Sequence, residues 1–223
     1  MCDSAVVHAI VERDVRQRAL ELGEALLARD LAALERLCDP EAWGRACGDE
    51  LARLSQHASA VKLLGTLDRR SLLRVSTPGG AYPEYIVEQQ WVPGAGGPVV
   101  EDERLFALAD RAEIESSGDA ERIARLRTKL AAQDAATAYA QALVHHDGEA
   151  VAGMWSRRFA GSHADRIRER IGELRAAELI GSVGPRTLVR CVFADGEETV
   201  ELLWREQGAR WLIEAARTFT GAG

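Results

Sequence analysis

The stretch AVKLLGTLDRRSLLRVS, residues 60–76, returns as AAELIGSVGPRTLVRCV at residues 176–192, 116 positions later. The two are identical at six of seventeen positions, and Leu/Ile, Thr/Ser, Ser/Thr and two Leu/Val exchanges account for five more. A repeat longer than 100 residues is not a solenoid, whose units run to about 20–50 residues, so it reads as a duplicated domain. The match extends outward. Residues 25–37 align with 142–154 at an offset of 117, and VEQQW at 87–91 aligns with VELLW at 200–204 at an offset of 113. The 223-residue chain then divides into halves of about 110 residues, each long enough to bury a core.

Each half reads as helix, short helix, helix and then strands. Val6, Val7, Ile10, Val11, Val15, Ala19, Leu22 and Leu26 recur at three- and four-residue spacing, which predicts one long amphipathic helix. Asp30 is placed to cap a short second helix, and residues 49–58 read as a third. The second half repeats the plan, with a helix over about 119–145, a short one after Asp147, and ADRIRERIGELR before the strands. DRAEIESSGD has no apolar period and contains Ser, Gly and charge. The domains are therefore drawn as 1–111 and 119–223, with a linker at 112–118.

One turn sets the expected strand register. Asp195-Gly196 suits a two-residue type I′ hairpin, which would place Val189 opposite Leu202, Cys191 opposite Val200 and Arg190 opposite Glu201. The first half would follow with Arg74 opposite Glu88, Val75 opposite Val87 and Leu73 opposite Gln89. Both faces of such a sheet carry apolar residues, so both should be covered: one by its own helices, the other by the sister sheet or another subunit.

Three helices on a curved antiparallel sheet resemble the nuclear transport factor 2-like superfamily, also called SnoaL-like or cystatin-like α+β cones. The features that carry the resemblance are the opening of long and short helices, the Asp-Gly hairpin and the closing Trp211-x-Ile213. It implies an α+β fold of two tandem cone-shaped domains arranged as a pseudo-dimer. Members include ketosteroid isomerases, polyketide cyclases, dehydratases and non-catalytic binding modules. No branch's catalytic motif is present, so only the fold carries over.

Composition narrows the function classes. The net charge of −7 lies wholly in residues 1–116, with 13 basic against 20 acidic side chains, while residues 117–223 balance at 15 and 15. That argues against nucleic acid, which requires a basic face. Arg157, Arg158, Arg166, Arg168, Arg170 and Arg175 are interleaved with Asp165, Glu169 and Glu173, as on a solvated helix face. No apolar run approaches the roughly 20 residues of a membrane span, and the start does not read as a signal peptide, so a cytoplasmic protein is expected. Cys2, Cys38, Cys47 and Cys191 show neither disulfide density nor metal-ligand spacing, and no metal or cofactor is expected.

The candidate sites follow from residue type and register. Arg190, Glu201 and Glu214 would form a row across three strands, two carboxylates and an arginine fit for proton transfer. Gln89 and Gln90 replace leucines of the other copy and, with Trp91, Tyr85 and Tyr82, suggest a ligand-contacting wall. His145-His146-Asp147 reads as a helix end rather than a metal site, and the glycine-rich VPGAGGPVV lacks the Lys-Ser/Thr of a phosphate loop. His8, His57 and His163 have no partners at motif spacing. The leading expectation is a non-catalytic protein that binds a small apolar molecule or a protein partner, with a homodimer allowed. The alternative is an isomerase, cyclase or lyase with Glu214 or Glu201 as base and Arg190 as charge partner.

Overall fold

The computed structural model describes residues 4–221 apart from 110–111, 157–158, 160–164, 166 and 168. Cys2, Arg157, Arg158, His163, Arg166 and Arg168 thus lie outside the described residues. The chain is α+β and divides into two compact units, Met1–Leu105 with Phe219–Ala222, and Phe106–Thr218 with Gly223. Among the described residues no helix is long and apolar enough to cross a membrane.

In the first unit α1 (Ser4–Ala28), α2 (Leu31–Leu37), α3 (Pro40–Ala42), a kinked turn (Trp43–Cys47) and α4 (Gly48–His57) precede β1 (Ala60–Leu67), β2 (Arg70–Ser76), β3 (Glu84–Gly94) and β4 (Gly97–Phe106). The strands lie in the order β4-β3-β2-β1. In the second unit α5 (Ala112–Glu115), α6 (Ala120–Val144), α7 (Gly148–Gly153) and a 3-10 turn (Ile171–Glu173) precede β5 (Leu174–Val183), β6 (Arg186–Phe193), β7 (Glu197–Gln207) and β8 (Arg210–Thr220). Their order is β8-β7-β6-β5. The stretch expected to be an irregular linker contains α5.

The same local devices occur in both units. Arg29 and His146 leave the long helix with φ of 56° and 54°, the left-handed region of a helix C-terminus. The next residue's N–H reaches back five positions, Asp30 to Ala25 O at 3.0 Å and Asp147 to Ala142 O at 2.9 Å. Each aspartate then accepts from the first turn of the short helix, Asp30 from Ala33 N and Asp147 from Ala150 N, both at 2.9 Å. His146 Nδ1 lies 2.5 Å from Ile171 O, so the His-His-Asp segment ends one helix and caps the next.

Bulges also recur. The register slips between Leu63 and Gly65 in β1 and between Leu179 and Gly181 in β5, which are the LLG and LIG of the repeated phrase. A bulge bends its strand and increases the local twist. At Gly65 a Cβ would stand 2.7 Å from Thr220 O, so only glycine fits. Cys38 bridges Val100 in parallel as Trp155 bridges Ile213, and the following N–H groups of Asp39 and Ser156 donate to Val100 O and Ile213 O. Deeper in, the indole N–H of Trp91 donates to Ser71 Oγ and that of Trp204 to Thr187 Oγ1, each at 2.8 Å.

The second unit's core joins Ala136, Tyr139 and Leu143 of α6 to Val189, Cys191, Val200, Leu202, Trp204 and Ile213 of the strands. Tyr139 meets Trp155 and Trp204 edge-on at 6.2 and 6.3 Å. Desolvation raises its hydroxyl's pKa, and it pushes the Cys191 thiol up to about 12.

The register differs from expectation by two residues in both units. Val189 faces Val200, Leu188 faces Glu201 and Arg190 faces Thr199; in the first unit Leu73 faces Val87, Leu72 faces Glu88 and Arg74 faces Ile86. An even shift leaves every side chain on its expected face but changes its partner. The turn in β6–β7 centres on Ala194-Asp195, with Phe193 N–H donating to Gly196 O at 2.8 Å. Arg170 holds the displaced turn. Its guanidinium binds Asp195 at 2.6 Å and Glu198 at 2.5 Å while covering the Phe193 ring, so it is a clamp on the hairpin and not part of a solvated helix face.

Candidate functional site

The expected Arg190–Glu201–Glu214 row does not form, because each member is engaged elsewhere. Arg190 pairs with Glu178 at 3.0 Å and Glu197 at 3.8 Å. Glu201, 2% exposed, accepts from Arg186 at 2.7 Å and has Arg217 at 3.5 Å. Glu214 pairs with Arg205 at 2.6 Å. The physical reason is the two-residue register shift, which exchanges Arg190 for Arg186 as the guanidinium next to Glu201.

Glu201 has a counterpart. Glu88 of β3, 3% exposed, lies 2.5 Å from Arg70 and 3.2 Å from Arg104, and the offsets of 116 and 113 map this trio onto Arg186, Glu201 and Arg217. In each unit a buried carboxylate is held between arginines from two neighbouring strands. Charge-assisted hydrogen bonds of this kind take up the carboxylate's lone pairs and leave it poorly placed to accept a substrate proton. The sequence carried a signal for the trio, since Arg70/Arg186, Glu88/Glu201 and Arg104/Arg217 are all identical between the copies.

The proposed ligand wall is also dispersed. Gln89 and Trp91 share the inward face of β3, where Ser71 Oγ donates to Gln89 Oε1 at 2.7 Å, and Gln89 Nε2 is buried without a partner. Gln90 points to the opposite face and bonds Arg70 at 3.0 Å and Glu101 at 3.3 Å. Tyr85 and Tyr82 meet edge-to-face at 5.4 Å. Trp91 lines a cleft of about 190 Å³ with Asp14, Arg69 and Pro93, whereas Tyr85 lines one of about 60 Å³ beside His57. The five residues therefore do not converge on one cavity.

Two further constellations were not legible in the sequence. The first is a cleft of about 670 Å³ in the second unit, lined by Gly153, Trp155, Ser156, Arg205, Arg210 and Glu214, with Gln207 and Leu212 completing it. The parallel bridge of Trp155 to Ile213 seats one wall against β8, and Arg210 donates to Gly153 O at 3.2 Å across its rim. Ser156 is buried and its hydroxyl has no hydrogen-bond partner. A second cleft, about 450 Å³, runs along α6 between Arg122, Arg125, Leu126 and Pro185, where burial lowers the pKa of Lys129.

The second constellation is a cluster of thiols and carboxyls in the first unit. Cys38 Sγ and Cys47 Sγ lie 3.9 Å apart, both buried. Both oxygens of Glu103 on β4 are buried, and Cys47 and Glu50 are the polar groups that face them. Burial, reinforced by Cys47 and Glu50, pushes the Glu103 carboxyl up to about 10, so it is a neutral acid at pH 7. The Cys47 thiol is also raised, first by its contact with Cys38 and then by burial. Nothing in the spacing of Cys38 and Cys47 announces this contact, because it is made by the intervening α3 and kinked turn. Among the described residues no group of three or more His, Cys, Asp or Glu side chains could hold a metal ion.

No family model matches the chain, and no curated protein matches it. A solved structure titled "Ntf2 like protein involved in plasmid conjugation" is similar over 86% of this chain and 87% of that one, at 9% identity and a TM-score of 0.25. A superposition that loose carries no argument about fold or function here.

Proposed function

We propose that the chain is a tandem nuclear transport factor 2-like protein that binds a ligand without transforming it. The ligand site is the cleft of about 670 Å³ in the second unit, and that cleft is the observation that carries the reading. Its volume falls within the roughly 300–1,000 Å³ of small-molecule sites. Trp155 and Leu212 supply apolar surface, while Arg205 and Arg210 outnumber Glu214. A small molecule with an apolar body and a single carboxylate fits this lining. Support for the tandem reading comes from the matched caps, bulges, bridges and Arg–Glu–Arg trios of the two units.

The non-catalytic reading is favoured because Glu201 and Glu214, the two carboxylates suited by position to act as bases, are each tied up by arginine. The test is titration calorimetry with aromatic and short aliphatic carboxylates beside their neutral amides. The expected result is saturable binding of the carboxylates, weakened at least about tenfold by Arg210→Ala and by Trp155→Ala. Equal binding of the neutral amides, or no binding of either series, would refute the assignment. Substrate turnover abolished by Glu201→Gln would restore the isomerase, cyclase or lyase alternative.

A further inference from the structure

We propose that Cys38 and Cys47 are a redox modification site, a dithiol that closes reversibly to an intramolecular disulfide by exchange with a small-molecule disulfide. Three observations converge on it. The sulfurs are already in contact at 3.9 Å, and a disulfide needs them at about 2.05 Å, so the gap to be closed is about 2 Å. The chain between them contains the means of closing it. Trp43–Cys47 is a kink between two helical segments, and Arg45 within it has φ −99° and ψ −147°, outside the helical region. No unbroken helical ladder therefore fixes the separation of the two cysteines across it. Finally, Glu103 places a buried carboxyl against Cys47, with Glu50 as its other polar neighbour. An apolar side chain would pack there at lower free-energy cost, so the cluster is not explained by stability.

The reaction balances without a further reagent. One cysteine thiolate attacks the external disulfide, forming a mixed disulfide and releasing one small thiol. The second cysteine thiolate then attacks the protein sulfur of that bond and releases the other. Two protein thiols are oxidised by two electrons, the external disulfide is reduced to two thiols, and the two cysteine protons leave on them. The bond would tie the end of α2, already bridged to β4 through Cys38 and Val100, to the far end of the kink. Burial of both thiols, 3% and 7% exposed, makes exchange slow and dependent on opening of residues 39–47.

The experiment incubates the full native chain with oxidised glutathione at pH 8, quenches with acid, and maps tryptic peptides without reduction. Cleavage after Arg36, Arg45 and Arg53 puts the two cysteines on separate peptides, 37–45 and 46–53, so the link is read directly. The expected result is a 37–45/46–53 cross-link, with a mass lower by two hydrogens, in at least about tenfold excess over any link to Cys2 or Cys191. Reducing agent should reverse it. Separate glutathione adducts on Cys38 and Cys47, links to other cysteines, or thiols still reduced after the native chain has been held through many opening events would each overturn the proposal. Cys38→Ser and Cys47→Ser should each abolish the link. If either variant does not fold, the wild-type peptide map decides, with iodoacetamide blocking before and after oxidation as the second measurement.

Discussion

Replacing Glu103 by glutamine should stabilise the protein at neutral pH, and the gain should grow with pH. In the folded chain the carboxyl titrates at about 10, against about 4.5 in the unfolded chain. Below pH 4.5 both states hold the proton and the group has no effect on stability. Above it the unfolded chain ionises while the folded chain stays neutral, so stability falls as pH rises, until it levels off above the folded value. Each pH unit in that window costs about 1.4 kcal/mol, which makes the penalty under about 1 kcal/mol at pH 5 and about 3 kcal/mol at pH 7. Water reaching the partly exposed stem of the side chain reduces the neutral-pH figure to about 2–3 kcal/mol. Glutamine has the same shape and no charge to lose. The assay is urea unfolding of both proteins at pH 5, 6, 7 and 8. With an m-value of roughly 2–3 kcal/mol/M, the variant's midpoint should exceed that of the native chain by about 1 M at pH 7 and by little at pH 5. A difference that stays flat across the series would show that Glu103 does not retain its proton on folding, and the reasoning from its burial would fail.

Further outcomes follow from the repeated devices. Glu201→Ala leaves Arg186 and Arg217 facing a buried gap, and because both guanidinia partly reach water the loss should be about 2–4 kcal/mol by urea unfolding, against under about 1 kcal/mol for the more exposed Arg217→Ala. Thr187→Val strands the indole N–H of Trp204 and should cost about 1–3 kcal/mol, while adding Trp204→Phe to it should cost less than the sum of the single changes. Gly65→Ala drives a methyl to 2.7 Å from a backbone oxygen and should lower the unfolding midpoint by the equivalent of about 1–3 kcal/mol.

The readable parts of this fold were those fixed by local chemistry. The helix caps at Asp30 and Asp147 and the faces of the strands follow from residue type and short-range spacing. The candidate sites depended on contacts between residues far apart in the chain. Glu103 lies 56 residues from Cys47, and no periodicity of either segment specifies that they meet. The cleft around Trp155 arises where the end of α7 runs beside β8, about 60 residues on.

Register lies between these extremes, and the hairpin of β6 and β7 shows why. Asp-Gly carries a strong intrinsic preference for the central pair of a two-residue turn, and a free hairpin would choose it. In the folded chain Asp195 has a second option, a hydrogen bond of 2.6 Å to Arg170, which also holds Glu198 at 2.5 Å. Two charge-assisted bonds and a cation stacked on Phe193 favour the observed turn, which lies one residue further back. Since the pairing sum then changes by two, Arg190 is carried past Glu201 and Arg186 takes its place. The first unit has no Asp-Gly turn at this position, yet Leu72 faces Glu88 as Leu188 faces Glu201. What the two units share is a buried glutamate set between two arginines, and this common element, rather than either turn, accounts for the register they have in common.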